Sequence, residues 1–159
     1  MAGSPMRRGD KEIADRAELD RIIDQASVLR LGLIDGSRPY VVPLNFGRDG
    51  DELWMHSFPG GLKLECIRRN PSVCVEIDHF VSIITGANAC GGWSARYDSV
   101  IGFGTAEIVE DEAEKERGLR VIMGKYSGRD DWEFSMLKTT AVIRVRLDSL
   151  TGKHSPKKG

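Results

Sequence analysis

Between residues 28 and 57 three short strand-like runs are separated by two turn signals, and this spacing constrains the fold more than any other feature. VLRLGLI (28–34) alternates, with Leu29, Leu31 and Leu33 on one face. DGSRP (35–39) is turn chemistry, YVVPLNF (40–46) is a second run, GRDGD (47–51) a second turn, and ELWMHS (52–57) a third run. Runs this close can pair only as hairpins, because a parallel connection needs a dozen or more residues. The sheet is therefore antiparallel at its start.

The same reading extends along the chain. Asp15 followed by Glu18 has the capping-box spacing, and Leu19, Ile22, Ile23 and Ala26 then fall on one helical face. GLKLECIRRN (61–70) predicts a short helix stopped at Pro71. SVCVEID (72–78) alternates, with HFVSII (79–84) extending it or pairing beside it. TGANACGGWSARY (85–97) reads as a loop. DSVIGFGTAEIVE (98–110) reads as a long strand whose Gly102 and Gly104 suggest a bulge. DEAEKERGLRVIMGKY (111–126) predicts a helix, acidic at its start as the helix dipole favours. DWEFSML (131–137) reads as a further turn of helix, and TAVIRVRL (140–147) as the last strand.

The expected class is mainly β (α+β): six or seven strands with two or three helices, a small antiparallel barrel and not a doubly wound parallel sheet. The chain of 159 residues suits one domain at 13–153, with flexible ends at 1–12 and 154–159. Residues 1–5 read equally as native sequence and as a vector remnant ahead of Met6.

Charge excludes more than it suggests. Lys and Arg total 23 against 24 Asp and Glu, so no bulk field favours nucleic acid or a membrane surface. No apolar run reaches the ~20 residues of a membrane helix. The N-terminus lacks the apolar core of a secretory signal. Cys66, Cys74 and Cys90 are odd in number and widely spaced, which suits a reducing, cytoplasmic setting. With His56, His79 and His154 they form no metal-ligand spacing, so no metal site is expected. Cys90 stands apart in a glycine-rich loop. Nucleophilic use of it has no supporting motif, and neither Rossmann nor P-loop fingerprints occur.

Three clusters carry chemistry. His56, Ser57, Gly60, Gly61 and Lys63 gather donors at a helix start, as a phosphate requires; a tight turn with a solvated lysine explains them equally. Trp93, Arg96 and Tyr97 could stack on a planar ring and hold an anion, or pack on the barrel end. Pro43 marks an edge, a bulge or backbone facing a ligand, and Asn45 shares its face.

In order, RLGLIDGSRPYVVPLNFGRDGDELWMHSFPGGLKLECIRRNPSVCVEID, WSARYDSVIGFGTAEIVED and the closing LTGK resemble the flavin-binding split-barrel proteins related to pyridoxamine phosphate oxidase. The nearest likeness is to the nitroimidazole-resistance (Nim-like) group, across residues 6 to 153. The resemblance implies a six-stranded antiparallel split β-barrel and a homodimer with FMN in clefts between subunits. It implies that His56, Ser57 and Lys63 line the ribityl and phosphate end, that Val42, Pro43, Leu44 and Asn45 lie along the isoalloxazine, and that Trp93, Arg96, Tyr97 and Ser99 approach from the partner. It implies an FMN-dependent oxidoreductase in which the flavin N5, and no side chain, carries the chemistry from NAD(P)H to a small acceptor such as a nitroaromatic or nitroimidazole. The alternatives are a haem-binding split barrel with His56 or His79 as ligand, a non-catalytic flavin-binding dimer, and a deazaflavin enzyme. Leu62-Lys63 stands where the oxidase proper has Arg-Lys, which argues against pyridoxamine phosphate as substrate.

Overall fold

The computed structural model describes residues 7–89, 91–129 and 131–155. The element order is β1 (Glu12–Ile13), α1 (Arg16–Gln25), β2 (Leu29–Asp35), β3 (Arg38–Leu44), β4 (Gly47–Asp49), β5 (Glu52–Ser57), α2 (Leu62–Arg69), β6 (Ser72–Ile84), β7 (Ser94–Val109), α3 (Glu112–Ser127) and β8 (Ala141–Ser155). Short 3-10 turns lie at Gly9–Lys11 and Leu137–Thr139. Hydrogen-bonded structure thus reaches a few residues beyond 13–153 at either end. None of the described helices is long and apolar enough to cross a membrane.

All eight strands join one sheet in the order β3-β2-β6-β7-β8-β5-β4, with β1 paired to β8. Every pairing is antiparallel, and β2 with β3 and β4 with β5 are hairpins, as the short spacings require. Pro43 sits on β3, the end strand, where its missing N–H costs no ladder bond. The bulge expected in the glycine-bearing strand falls between Phe103 and Gly104.

Four expectations give way to the structure. The six or seven strands become eight. Gly47–Asp49 is not turn but β4, and the reversal tightens onto Gly50 and Asp51. Ser94–Tyr97 is not loop: it opens β7, which pairs with β6 through Ile84–Ser94. Residues 131–136 form no helical turn, and β8 runs eight residues beyond Leu147, taking in His154 and Ser155 of the supposed tail.

The inward faces of the sheet enclose one core. Leu29, Leu31 and Leu33 of β2, Val73, Val75 and Ile77 of β6, and Ile143 and Val145 of β8 meet Leu19, Ile22 and Ile23 of α1 and Leu64, Cys66 and Ile67 of α2. Asp15 caps α1, its carboxylate accepting from the Ala17 N–H. A second core lies under α3, where Trp54, Val109 and Val142 pack on Leu119 and Ile122. The β5 strand separates the two cores, so Leu53, Trp54 and Met55 are all fully buried. Gly118 makes this possible: a Cβ there would lie 2.2 Å from Trp54 Cε3.

The outward face of β3-β2-β6-β7 carries no helix-borne core. Val41 (59% exposed), Ile34, Ile101 and Phe103 (53%) stand on it, and the ion pairs of Arg30 with Glu76 and Asp78 on the same face lie between them and Phe80 (62%). Single exposed apolar residues are ordinary; a contiguous set on one sheet face marks an interaction surface.

Candidate functional site

The strand β5 ends at Ser57, and Pro59, Gly60 and Gly61 turn the chain into α2. Gly61 is the N-cap and adopts φ +98°, a backbone setting that residues with a Cβ avoid. It offers no side-chain cap. Its carbonyl accepts from the Leu64 and Glu65 N–H groups at 3.1 and 3.4 Å. The N–H groups of Leu62 and Lys63 therefore remain among the orphan donors that a helix start presents. Lys63 lies in that first turn, and burial pushes its ammonium below the ordinary lysine value. A cation that burial disfavours, beside uncapped N–H groups, matches the donor set an anion requires. Ser57 completes the loop, its hydroxyl donating to the Phe58 carbonyl at 2.9 Å.

His56 is exposed at the same strand end and lines a cleft of about 240 Å³ with Leu119, Phe134 and Met136. His79 differs. It is half-buried under α1, where its Nε2 donates to the Ile22 carbonyl at 3.1 Å. That contact fixes the ring under α1 and engages one of its two nitrogens.

The residues expected along a flat ligand lie on β3 and just past it. Val42 and Leu44 turn partly into the main core, whereas Pro43 and Asn45 are exposed on the other face. The Asn45 amide is tied back, its Nδ2 donating to the Ser27 carbonyl at 3.2 Å. Tyr126 holds the same corner: its hydroxyl donates to Ser27 O at 2.6 Å and accepts from Phe46 N at 3.0 Å.

The third group stands on the β6–β7 ribbon. Trp93 is exposed just before β7, Arg96 is exposed opposite Ser82, Tyr97 pairs with Phe80, and Ser99 with Asp78. Lys153 sits 5.7 Å from the Tyr97 ring centroid, and its hydrogen bond holds the phenol below its ordinary value. His56, Ser57 and Lys63 all belong to the β5–α2 junction, but side chains alternate along β5, so His56 shares the face of Trp54 under α3 and Ser57 that of Met55 toward the main core. No hydrogen bond or ion pair joins them to β3 or to the ribbon among the described residues.

Two features had no sequence signal. His154 Nδ1 lies 2.5 Å from Asp98 Oδ1 and its Nε2 3.6 Å from Glu18 Oε1, with Arg21 beside both carboxylates, so the strand ends are latched to α1. Only the register, which pairs Asp98 with His154 across β7 and β8, reveals it. The other is a cleft that Arg68, Lys115 and Lys138 line together with Pro59 and Glu110. Among the described residues no group of three or more His, Cys, Asp or Glu could hold a metal. Cys90 lies outside the described residues.

Comparison with known proteins bears on the family and the fold. The sequence profile described as pyridoxamine 5'-phosphate oxidase matches residues 15–154. A candidate 5-nitroimidazole antibiotic resistance protein from Bacteroides thetaiotaomicron is 34% identical, with 89% of this chain and 85% of that one covered and a TM-score of 0.78. An FAD- and haem-binding protein from Mycobacterium smegmatis superposes with a TM-score of 0.80 at 23% identity, covering 92% of this chain and 74% of that one, which speaks to the fold alone. An uncharacterized protein from Rhizobium meliloti is 30% identical over 70 residues; the match spans 44% of this chain and under half, 46%, of that relative. The split-barrel class expected from the sequence is thereby the class observed.

Proposed function

The chain belongs to the pyridoxamine 5'-phosphate oxidase family, and from that premise we propose that it is an FMN-dependent oxidoreductase that passes electrons from NAD(P)H to a small organic acceptor, a nitroaromatic or nitroimidazole among them. The observation that carries the reading is the β5–α2 junction: an uncapped helix start, Gly61 at φ +98°, and Lys63 in the first turn. When bound, the flavin supplies hydride chemistry at N5. The chain's own residues bind and orient. Lys63 and the Leu62 and Lys63 N–H groups hold the phosphate, and Ser57 accepts or donates beside it. Edge strand β3 offers a face along which an isoalloxazine can lie, at Val42 to Asn45.

Trp93, Arg96, Tyr97 and Ser99 come from a second copy in this reading. The apolar outward face, with Val41, Phe80, Ile101 and Phe103 exposed, supports a homodimer that covers it and closes the cleft over the flavin. His56, assigned with Ser57 and Lys63 to the ribityl and phosphate end, lines a cleft with Phe134 and Met136. A second reading, haem held by His56, draws on the same cleft.

The test is spectroscopic turnover. Protein loaded with FMN is reduced by NADH or NADPH under anaerobic conditions, and metronidazole is then added. Bleaching followed by acceptor-dependent return of the flavin bands supports the reading. A flavin that no reductant bleaches leaves a binding protein, and a Soret band on haem addition, lost in His56→Ala, transfers the site to haem.

A further inference from the structure

One ion-paired set interrupts the apolar outward face of β3-β2-β6-β7. Alternate side chains of a strand share a face, so Arg30 of β2 and Glu76 and Asp78 of β6 stand on the same side as Val41, Ile34, Ile101 and Phe103. Arg30 Nη1 lies 3.2 Å from Glu76 Oε2 and 2.5 Å from Asp78 Oδ1. One guanidinium thus serves two carboxylates, and one negative charge is left over.

The neighbours do not neutralise it. In the ladder Pro43 lies beside Arg30, Ile101 beside Glu76 and Ser99 beside Asp78. Cys74 is the next titratable group on that face of β6, and burial and the Glu76 charge push its thiol up. Lys153 stands one strand further, beside Ser99, and is hydrogen-bonded to Tyr97. The helices α1 and α2 pack on the inward face, and α3 lies over β4, β5 and β8. Burial and the Asp78 charge already push the Glu76 carboxyl above the ordinary glutamate value, against the pull of Arg30. Water still reaches the set, whose side chains are 47%, 35% and 38% exposed, and screens the excess charge.

Resting on the homodimer part of the reading above, we propose that the outward face is an acid-strengthened interface: a second copy seated on it is held more tightly as pH falls, because covering Arg30, Glu76 and Asp78 leaves one carboxylate charge without a partner. A charge withdrawn from water without a partner is costly. A two-fold dimer covers the same patch on both chains, so the effect counts twice. Taking up a proton at Glu76 leaves one cation, one anion and a neutral acid, a set that balances. The sign follows. Covering Glu76 disfavours its charged form, so the dimer binds more protons than two separate chains. Association therefore strengthens as pH falls and weakens as it rises.

The experiment is sedimentation equilibrium of the full chain without flavin, from about pH 5 to about pH 8 at fixed ionic strength, on the unaltered protein and on Glu76→Gln. Glutamine keeps the shape of the neutral acid at a position that water reaches, so the variant should fold. The expected result is a dimer at least about tenfold tighter at the acid end than at the alkaline end, and a Glu76→Gln dimer that is tight at the alkaline end with no slope. His56, His79 and His154 titrate in the same range but are kept in the variant, so a slope that survives in Glu76→Gln belongs to them and overturns the proposal. A dimer constant indifferent to pH overturns it too. So does a Glu76→Gln dimer weaker than the unaltered one, since Glu76 then meets a cation of the second copy. Chains that stay monomeric at every pH refute the homodimer reading, and this proposal with it.

Discussion

Replacing Lys63 separates a phosphate cradle from an ordinary strand-to-helix turn. In the cradle the ammonium makes a charge-assisted hydrogen bond to a phosphate oxygen, worth about 1.5–3 kcal/mol net. Lys63 is half-buried and its neighbours reach water, which favours the lower part of that range. Lys63→Met keeps the apolar stem and should weaken FMN about ten- to thirtyfold, at roughly tenfold per 1.4 kcal/mol. Burial already lowers the pKa of Lys63 below the ordinary 10.5 in the free chain. A bound phosphate stabilises the charged form and raises it again. Binding therefore takes up a proton on the alkaline side, and wild-type affinity falls as pH rises through the free-chain value. The variant has no proton to take up and should lose that alkaline slope. Fluorescence titration of FMN from neutral to alkaline pH reads both effects. Equal affinities, or an alkaline slope that survives in Lys63→Met, would remove Lys63 from the phosphate site.

Other consequences follow from packing and charge. Gly118→Ala drives a Cβ to 2.2 Å from Trp54 Cε3 and 3.0 Å from Val142 Cγ1, both fully buried, so denaturant unfolding should show a loss of about 1–3 kcal/mol despite the better helix propensity of alanine. Burial pushes the Lys125 ammonium down to about 8 from 10.5, so between those values the unfolded chain binds more protons than the folded one. The contribution of Lys125 to stability therefore rises with pH across that window, and Lys125→Met should flatten the rise in pH-dependent melts. Phe103→Asp places a charge on the outward apolar face without touching either core, and sedimentation velocity should then show a monomer against the dimer proposed for the unaltered chain.

Much of this architecture is legible because its local and global signals agree. The alternation of 28–34 and 72–78 put Leu29, Leu31, Val73 and Val75 inside, and Asp15 and Pro71 marked helix ends that the structure keeps. The misreadings share a cause. Gly47–Asp49 carries turn residues, yet its pairing with Glu52–Trp54 and its place under α3 override their propensity. Ser94–Tyr97 and the stretch after Leu147 are polar and read as loop. They are strand because β6, β7 and β8 lie side by side as one long ribbon, which supplies ladder bonds that composition cannot report. Residues 131–136 fail in the opposite direction: their apolar side chains cover α3 without forming a turn of helix. At the site, the glycine turn and Lys63 were visible as a motif. The convergence of Arg68, Lys115 and Lys138 on one cleft was not, since successive members lie 47 and 23 residues apart and meet only once the fold is formed.

The central claim is that the β5–α2 junction holds the phosphate end of a flavin shared between two copies of the chain. Its most direct measurement is the absorption spectrum and flavin content of the protein after incubation with FMN and gel filtration. The account predicts visible flavin bands that travel with a dimer at one flavin per chain and are reduced in Lys63→Met. A colourless protein, or a monomer that retains flavin as tightly as the account requires of the dimer, would contradict it.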